Sequence, residues 1–258
     1  MSLLSYDRFA TEIITQSDLL GAAIAGADLT SAVPSCPGWN VGQLVRHVDG
    51  GHRWAAELVA TRAGEPISDV SLRDLSEFTD EDPALLGPIL TEGAEVLAGT
   101  LRETEPAASM WSPVPPGTAG FYARRFAHET AMHRADAELA LGLDFTLDPA
   151  VAADGVEEWL ELGSLPFHFD VHPAMRELLG TGTIGLSATD LVGDWVVDLT
   201  GSAIDWRRGV EDADVTVYGA VQDLLLVIYR RRAPVEPYVR ITGDSDLLEF
   251  WLERVSFG

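Results

Sequence analysis

Arg125-Phe-Ala-His-Glu-Thr-Ala-Met-His-Arg-Ala-Asp136 is the stretch on which the architecture of the first half of the chain turns. It lies inside a longer run, residues 121–141, that is free of proline until Gly142 stops it, and its spacing predicts a helix. The segment invites comparison with the zinc-protease pattern H-E-x-x-H, but His128 and His133 are five apart. On a helix that is about 140° of rotation, so the two do not share a face, whereas the protease pair, four apart, does. Glu129 and His133 are the pair four apart, stacked one turn above the other with an offset of about 40°. Asp136, seven after Glu129, falls on the same face and suits a role behind a ligand, orienting it.

Three further helices are predicted upstream. Residues 5–25 carry Phe9, Ile13, Leu19, Leu20 and Ile24 at helical spacing, and residues 41–62 follow an N-cap at Asn40. Residues 82–104 open at Asp82 or Pro83 and continue through Leu85, Leu86, Ile89, Val96 and Leu101. Four long helices with loops between them predict an up-and-down bundle. Two protein ligands do not make a zinc site, so a third must come from another helix. The second helix offers His47 and His52; Leu44, Val48 and Ala55 mark its apolar side, which puts His47 at the core-facing edge and His52 in a less favourable place. A pair such as Glu129 and His133 is equally at home on a solvated helix face.

The second half changes character. Helix is predicted at 151–162, with a short helix at 175–179. Strands are predicted at 183–188, 194–200, 214–218 and 239–242, with helices at 220–229 and 244–255. The chain therefore reads as an all-α four-helix bundle, 1–146, followed by an α/β domain, 147–258. His168 and His172, in Phe167-His-Phe-Asp-Val-His-Pro173, read as a loop packing aromatic rings between the domains.

Composition narrows the function. The 258 residues carry a formal charge of −24, all 17 basic residues are Arg, and mean hydropathy is +0.09. Without a basic stripe there is nothing to release phosphate counterions, so nucleic acid is not an expected partner, and neither is an anionic membrane surface. No stretch of about 18 uninterrupted apolar residues suggests a membrane span. Residues 1–10 lack a basic segment followed by an apolar one, so no signal peptide is expected. Cys36 is the sole cysteine, which fits a reducing cytoplasm, and its place in a Pro-Gly turn reads as a small packing residue. A monomer or homodimer is expected.

Pro34-Ser-Cys-Pro-Gly-Trp-Asn-Val41 with Leu44-Val-Arg-His47, together with the segment from Arg125 to Asp136, resembles the signature of the mycothiol-dependent maleylpyruvate isomerase family. The resemblance covers essentially the whole chain. It implies a DinB-like bundle, a C-terminal domain similar to sterol-carrier proteins, and one divalent metal, zinc by expectation, held by His47, Glu129 and His133. It also implies an active-site Arg in the C-terminal domain, which aligns with Arg231 in Leu224-Leu-Leu-Val-Ile-Tyr-Arg-Arg-Arg232, Arg230 being the neighbouring register. The alternative for these arginines is a solvated cap on the end of a helix.

Three ligands on a four-coordinate metal leave one position open, as in a catalytic site. A thiol entering it loses its proton, and the thiolate is the nucleophile. With Cys36 read as packing, the thiol must be a cosubstrate, and the resemblance implies mycothiol. The expected function is metal-bound thiolate attack on a small electrophile, ending in S-transfer or cis–trans isomerisation. Two alternatives are a metal hydrolase using bound water, with Asp136 or Asp49 as base, and a non-enzymatic binding protein using an apolar pocket around 224–228.

Overall fold

A computed structural model describes residues 4–209 and 212–255. The chain divides into two compact units, Met1–Phe145 and Thr146–Gly258.

The first unit is the expected bundle. Its long helices are α1 (Tyr6–Ile24), α2 (Val41–Thr61), α4 (Pro83–Arg102) and α5 (Ala119–Ala140), with a single turn, α3 (Val70–Arg73), between the second and third of them. Each long helix starts where a side chain satisfies its first amides. Ser5 accepts from Arg8, Asn40 and Gln43 form a reciprocal capping box, Asp82 accepts from Ala84 ahead of Pro83, and Thr118 accepts from Phe121. Gly142, at φ +70°, lets the chain turn off α5. α1 packs on α4 and α5, and α2 packs on the same two. By length and composition α4 could cross a membrane, but Leu86, Leu90, Leu97 and Leu101 are fully buried in the bundle's interior.

Sequence spacing missed α3, a helix of only four residues. It also placed His47 deeper than His52. The reverse holds: His52 is wholly buried and His47 half-buried, because the α2 face that carries His52 lies against α4 and α5.

The second unit is the expected mixed α/β domain. α6 (Pro149–Gly163) leads through the single turn α7 (His168–Val171) and a 3-10 helix (Pro173–Leu178) into a five-stranded sheet. Its strands are β1 (Thr183–Ala188), β2 (Asp194–Asp198), β3 (Asp205–Arg208), β4 (Val215–Gly219) and β5 (Val239–Gly243), in the order β3-β2-β1-β4-β5. Only β1 and β4 run parallel, with Leu186 opposite Val217; the other pairs are antiparallel. Helix α8 (Val221–Ile228) packs on α6 and on β1 and β4, and α9 (Ser245–Arg254) closes the unit. Trp159 anchors the core, 5.4 Å from Trp251.

Two readings are corrected here. The stretch around His168 is one helical turn rather than a loop, and β3 went unseen. Asp-Trp-Arg-Arg is half exposed at a sheet edge and has no apolar alternation to announce it.

Candidate metal centre

Glu129 and His133 stand on one face of α5, where helical spacing places them, with His133 Nε2 3.2 Å from Glu129 Oε1. α2 brings His47 across the bundle, its ring 5.1 Å from that of His133 and nearly perpendicular to it. One ligand atom from each of the three lies within 4.8 Å of the others. Donors around a single zinc stand roughly 3.3 Å apart, so small side-chain movements suffice to bring the set onto one ion.

Each donor is held from behind. His47 Nδ1 donates to the carbonyl of Leu72 at 2.8 Å, which leaves Nε2 as the nitrogen with a lone pair. That carbonyl is the contribution of α3, and α3 approaches α2 closely because Gly50 has no side chain: a Cβ there would meet Leu72 Cβ at 3.0 Å and Cα at 3.2 Å. Arg125 Nη2 donates to Glu129 Oε2 at 2.5 Å. Asp136, 1% exposed, receives His133 Nδ1 at 3.0 Å, the carboxylate–histidine arrangement that fixes a ligand's tautomer. A donor set of two imidazoles and a carboxylate, each with its far atom occupied, fits a zinc-like ion.

The electrostatics agree. Burial pushes His47 down, and the neighbouring His133 pushes it further, so it is neutral at pH 7. Burial also works against a charged His133. Its hydrogen bonds to Asp136, Cys36 and Glu129 prevail and hold the imidazolium well above the ordinary histidine range. Burial would raise Glu129, but the Arg125 guanidinium and His133 outweigh it and hold the carboxyl well below the usual range. Without a metal, therefore, a proton on His133 faces the Glu129 carboxylate.

The remaining histidines are elsewhere. His128, on the other face of α5, packs edge-on against Phe9 with ring centroids 6.0 Å apart. His52 Nε2 meets Thr130 Oγ1 at 2.8 Å, and burial drives its pKa down to about 3. His168 and His172 stack on each other in the second unit, 6.1 Å apart, outside any cluster of metal-ligating side chains among the described residues.

Arg231 belongs to the second unit, where Arg230, Arg231 and Arg232 line a cleft of about 610 Å³ floored by Val227, Ile241, Leu248 and Leu252. Arg232 is committed to Asp223 and stacks 4.1 Å over Tyr238, while Arg231 donates to the Tyr229 carbonyl at 2.9 Å.

Sequence reasoning did not find Arg125, the Leu72 carbonyl or the Trp39 ring, which lies 4.8 Å from that of His47. It also gave Cys36 a packing role alone. Cys36 does pack against the core, but its sulfur also lies 3.6 Å from Asp136 Oδ2 and within 4.8 Å of a ring nitrogen of His133. Only Arg125, four before Glu129, left a local signal.

No curated protein matches the chain. Two solved structures match over 93% of it and 95% of their own length: a mycothiol-dependent maleylpyruvate isomerase, at 14% identity and TM-score 0.61, and a mutant of the same enzyme, at 14% and 0.60. Sterol Carrier Protein 2 Like 2 from Aedes aegypti matches 39% of the chain and 96% of its own, at 24% identity and TM-score 0.29. The family described as the mycothiol maleylpyruvate isomerase N-terminal domain matches residues 10–138, a span that takes in the second helix with His47 and the fifth with Glu129 and His133. With half of its length inside that match, the chain belongs to the mycothiol maleylpyruvate isomerase N-terminal domain family.

Proposed function

We propose that the chain is a mycothiol-dependent enzyme that acts on a small electrophile, with His47, Glu129 and His133 holding one divalent cation, zinc by preference. The observation that carries this reading is the convergence of three donors from two helices, each oriented from behind, in a chain of this family. The thiol is taken from the full-length structural likeness, an enzyme that depends on mycothiol.

A divalent cation held there would supply the positive charge that favours thiolate over thiol at neutral pH. The chain's own residues prepare for it. Leu72 and Asp136 each hold an imidazole by Nδ1, so both present Nε2. Arg125 keeps Glu129 ionised. The thiolate then bonds to an alkene carbon conjugated with a carbonyl, and the alkene's π electron pair moves onto that carbonyl as an enolate. This frees the C–C bond to rotate, and the enolate later either expels the thiolate or takes up a proton. Departure of the thiol after bond rotation yields a cis–trans isomer, and its retention yields an S-conjugate. On the family resemblance, Arg231, or Arg230 in the neighbouring register, is the residue of the second unit proposed for the reaction, as a cation for an anionic group of the substrate.

The test begins with metal content and calorimetric titration of mycothiol into wild type and His133→Ala. A panel of small electrophiles, maleylpyruvate among them, is then followed for product and for mycothiol consumption. Metal-dependent thiol binding with product formation is expected, and consumption of the thiol separates S-transfer from isomerisation. Freshly purified protein without metal, or thiol binding unchanged in His133→Ala, refutes the reading. Metal without thiol binding supports hydrolysis instead.

A further inference from the structure

Pro34-Ser-Cys-Pro-Gly-Trp39 has no part in the donor set, yet it touches one imidazole donor, His47, and the support of the other, Asp136. Residues 32–40 form a closed loop between α1 and α2. Ala32 pairs with Asn40, Val33 N–H donates to the Trp39 carbonyl at 3.0 Å, and Trp39 N–H donates to the Cys36 carbonyl at 3.1 Å. Gly38 makes the turn at φ +90°, a conformation that strains other residues. From this frame the Trp39 ring lies against the His47 ring, 4.8 Å between centroids and tilted by 47°. Three and four residues before Trp39, Cys36 Sγ donates to Asp136 Oδ2 at 3.6 Å and Ser35 Oγ to Asp136 Oδ1 at 2.6 Å.

A carboxylate as buried as Asp136 is costly unless donors surround it. Here Ser35 and Cys36 come from one side and His133 Nδ1–H from the other. The loop donors set where the two oxygens point, and Oδ2, shared between Cys36 and His133, sets where the imidazole points. The chain of contacts from loop to ligand is two hydrogen bonds long, although about one hundred residues separate its ends.

We infer that Ser35 and Cys36 are positioning residues for the candidate ligand His133, acting through Asp136, while Trp39 of the same loop walls His47. The inference rests on the proposed metal site and adds a role for the thiol: Cys36 is a hydrogen-bond donor to a buried carboxylate, neither a ligand nor a nucleophile. One short loop thereby orients both imidazoles, which accounts for a motif that would otherwise be only an irregular connection.

The test uses the full chain. Zinc affinity is measured by chelator competition for wild type, Ser35→Ala/Cys36→Ala, Cys36→Ala, Cys36→Ser and Asp136→Asn, with thermal unfolding of each metal-free form as the folding control. Nitrogen-15 NMR of the histidines reports which ring nitrogen of His133 carries the proton. Loss of a partner behind a ligand weakens metal binding about tenfold to a hundredfold, so the double alanine variant is expected near the lower figure and Asp136→Asn near the upper. Cys36→Ser keeps a donor and is expected close to wild type, while Cys36→Ala is weaker. If Asp136→Asn does not fold, the loop variants and the NMR signal of His133 carry the test, and that signal must shift in the double alanine variant. Wild-type affinity in the double variant overturns the inference, as does a fall in Cys36→Ser equal to that in Cys36→Ala. A second zinc equivalent lost with Cys36→Ala overturns it too, by making the sulfur a ligand. Wild type that binds no zinc overturns this inference and the proposed function together; wild type that binds it while the variants bind equally well overturns this one alone.

Discussion

Zinc added to the metal-free chain has to displace the proton that His133 carries, and this sets a pH dependence with a definite size. His133 is held well above the ordinary histidine range, whereas His47 is held below it and Glu129 is already ionised. From about pH 7 down to about pH 6, then, His133 is the one ligand that must give up a proton, and displacing one proton per metal weakens binding about tenfold per pH unit, or about 1.4 kcal/mol. Calorimetric titrations in buffers of different protonation enthalpy count that proton directly, and close to one per zinc is expected near pH 6.5. Asp136→Asn removes the hydrogen bond that does most to keep the proton on His133, so its count falls and its pH slope flattens even as its affinity drops. The metal-free chain shows the opposite face of the same linkage. A folded pKa raised above the unfolded value gives stability that is complete below about pH 6.5 and lost as pH rises through the folded value. Its melting temperature should therefore sag on the alkaline side, and the zinc-loaded chain should not share that sag. A proton count near zero in wild type at pH 6.5, or an equal count in Asp136→Asn, refutes the assignment of the proton to His133.

Other outcomes follow from the same geometry. His52 is wholly buried with a pKa of about 3 against roughly 6.5 unfolded, so its contribution to stability is present above pH 6.5 and lost as pH falls toward 3. Going from pH 7 to pH 5 should cost wild type about 2 kcal/mol more than it costs His52→Gln, read by urea unfolding. Gly50→Ala pushes Leu72 away and weakens the carbonyl's hold on His47, so zinc affinity should fall about tenfold while the chain stays folded. Arg231→Ala should raise KM for an electrophile bearing a carboxylate about tenfold, with a neutral electrophile as the control. Glu157 accepts from Trp195 Nε1 at 3.0 Å and from two nitrogens of Arg208 at 2.5 Å. Glu157→Gln should destabilise the second unit by about 2–3 kcal/mol in urea and leave zinc affinity unchanged.

How much of this was legible in the sequence depended on the distance between partners along the chain. The four long helices announce themselves through period and caps, because each is a local solution: Asn40 with Gln43, Thr118 with Phe121, Pro83 behind Asp82. Glu129 and His133 could be paired by counting residues on one helix. The third donor is a different case: the apolar pattern favoured His47 over His52 by putting it deeper, which the fold reverses, and the family motif was the firmer ground for choosing it. Asp136 could be placed behind a ligand by its spacing on α5, but the supports that come from other elements were not legible because they are tertiary. The Leu72 carbonyl reaches His47 from a single helical turn that depends on Gly50, and the Ser35 hydroxyl reaches Asp136 across 101 positions. β3 escaped for a related reason: its strand character comes from pairing with β2, Trp206 opposite Val197, and not from its own four residues.

α5 shows why the chemistry gathers where the local rules conflict. Residues 126–138 of this helix lie within a bundle, yet His128, Glu129, Thr130, His133, Arg134, Asp136 and Glu138 fall among them, spread over every face. A helix inserted only for packing would carry an apolar stripe there, because each buried polar group has to find a partner. The partners exist, and they differ by face. Arg134 meets Glu138 on one, Thr130 meets His52 on another, and the face with Glu129, His133 and Asp136 is met by Arg125, His47 and the loop of Ser35 and Cys36. Among the described residues, two imidazoles and a carboxylate converge within 4.8 Å with their far atoms already bonded on that last face alone. On the first two faces the polar groups meet one another in pairs. On the third, Asp136 and Glu129 favour a protonated His133 where three candidate ligands meet, and a metal ion bound there would displace that proton.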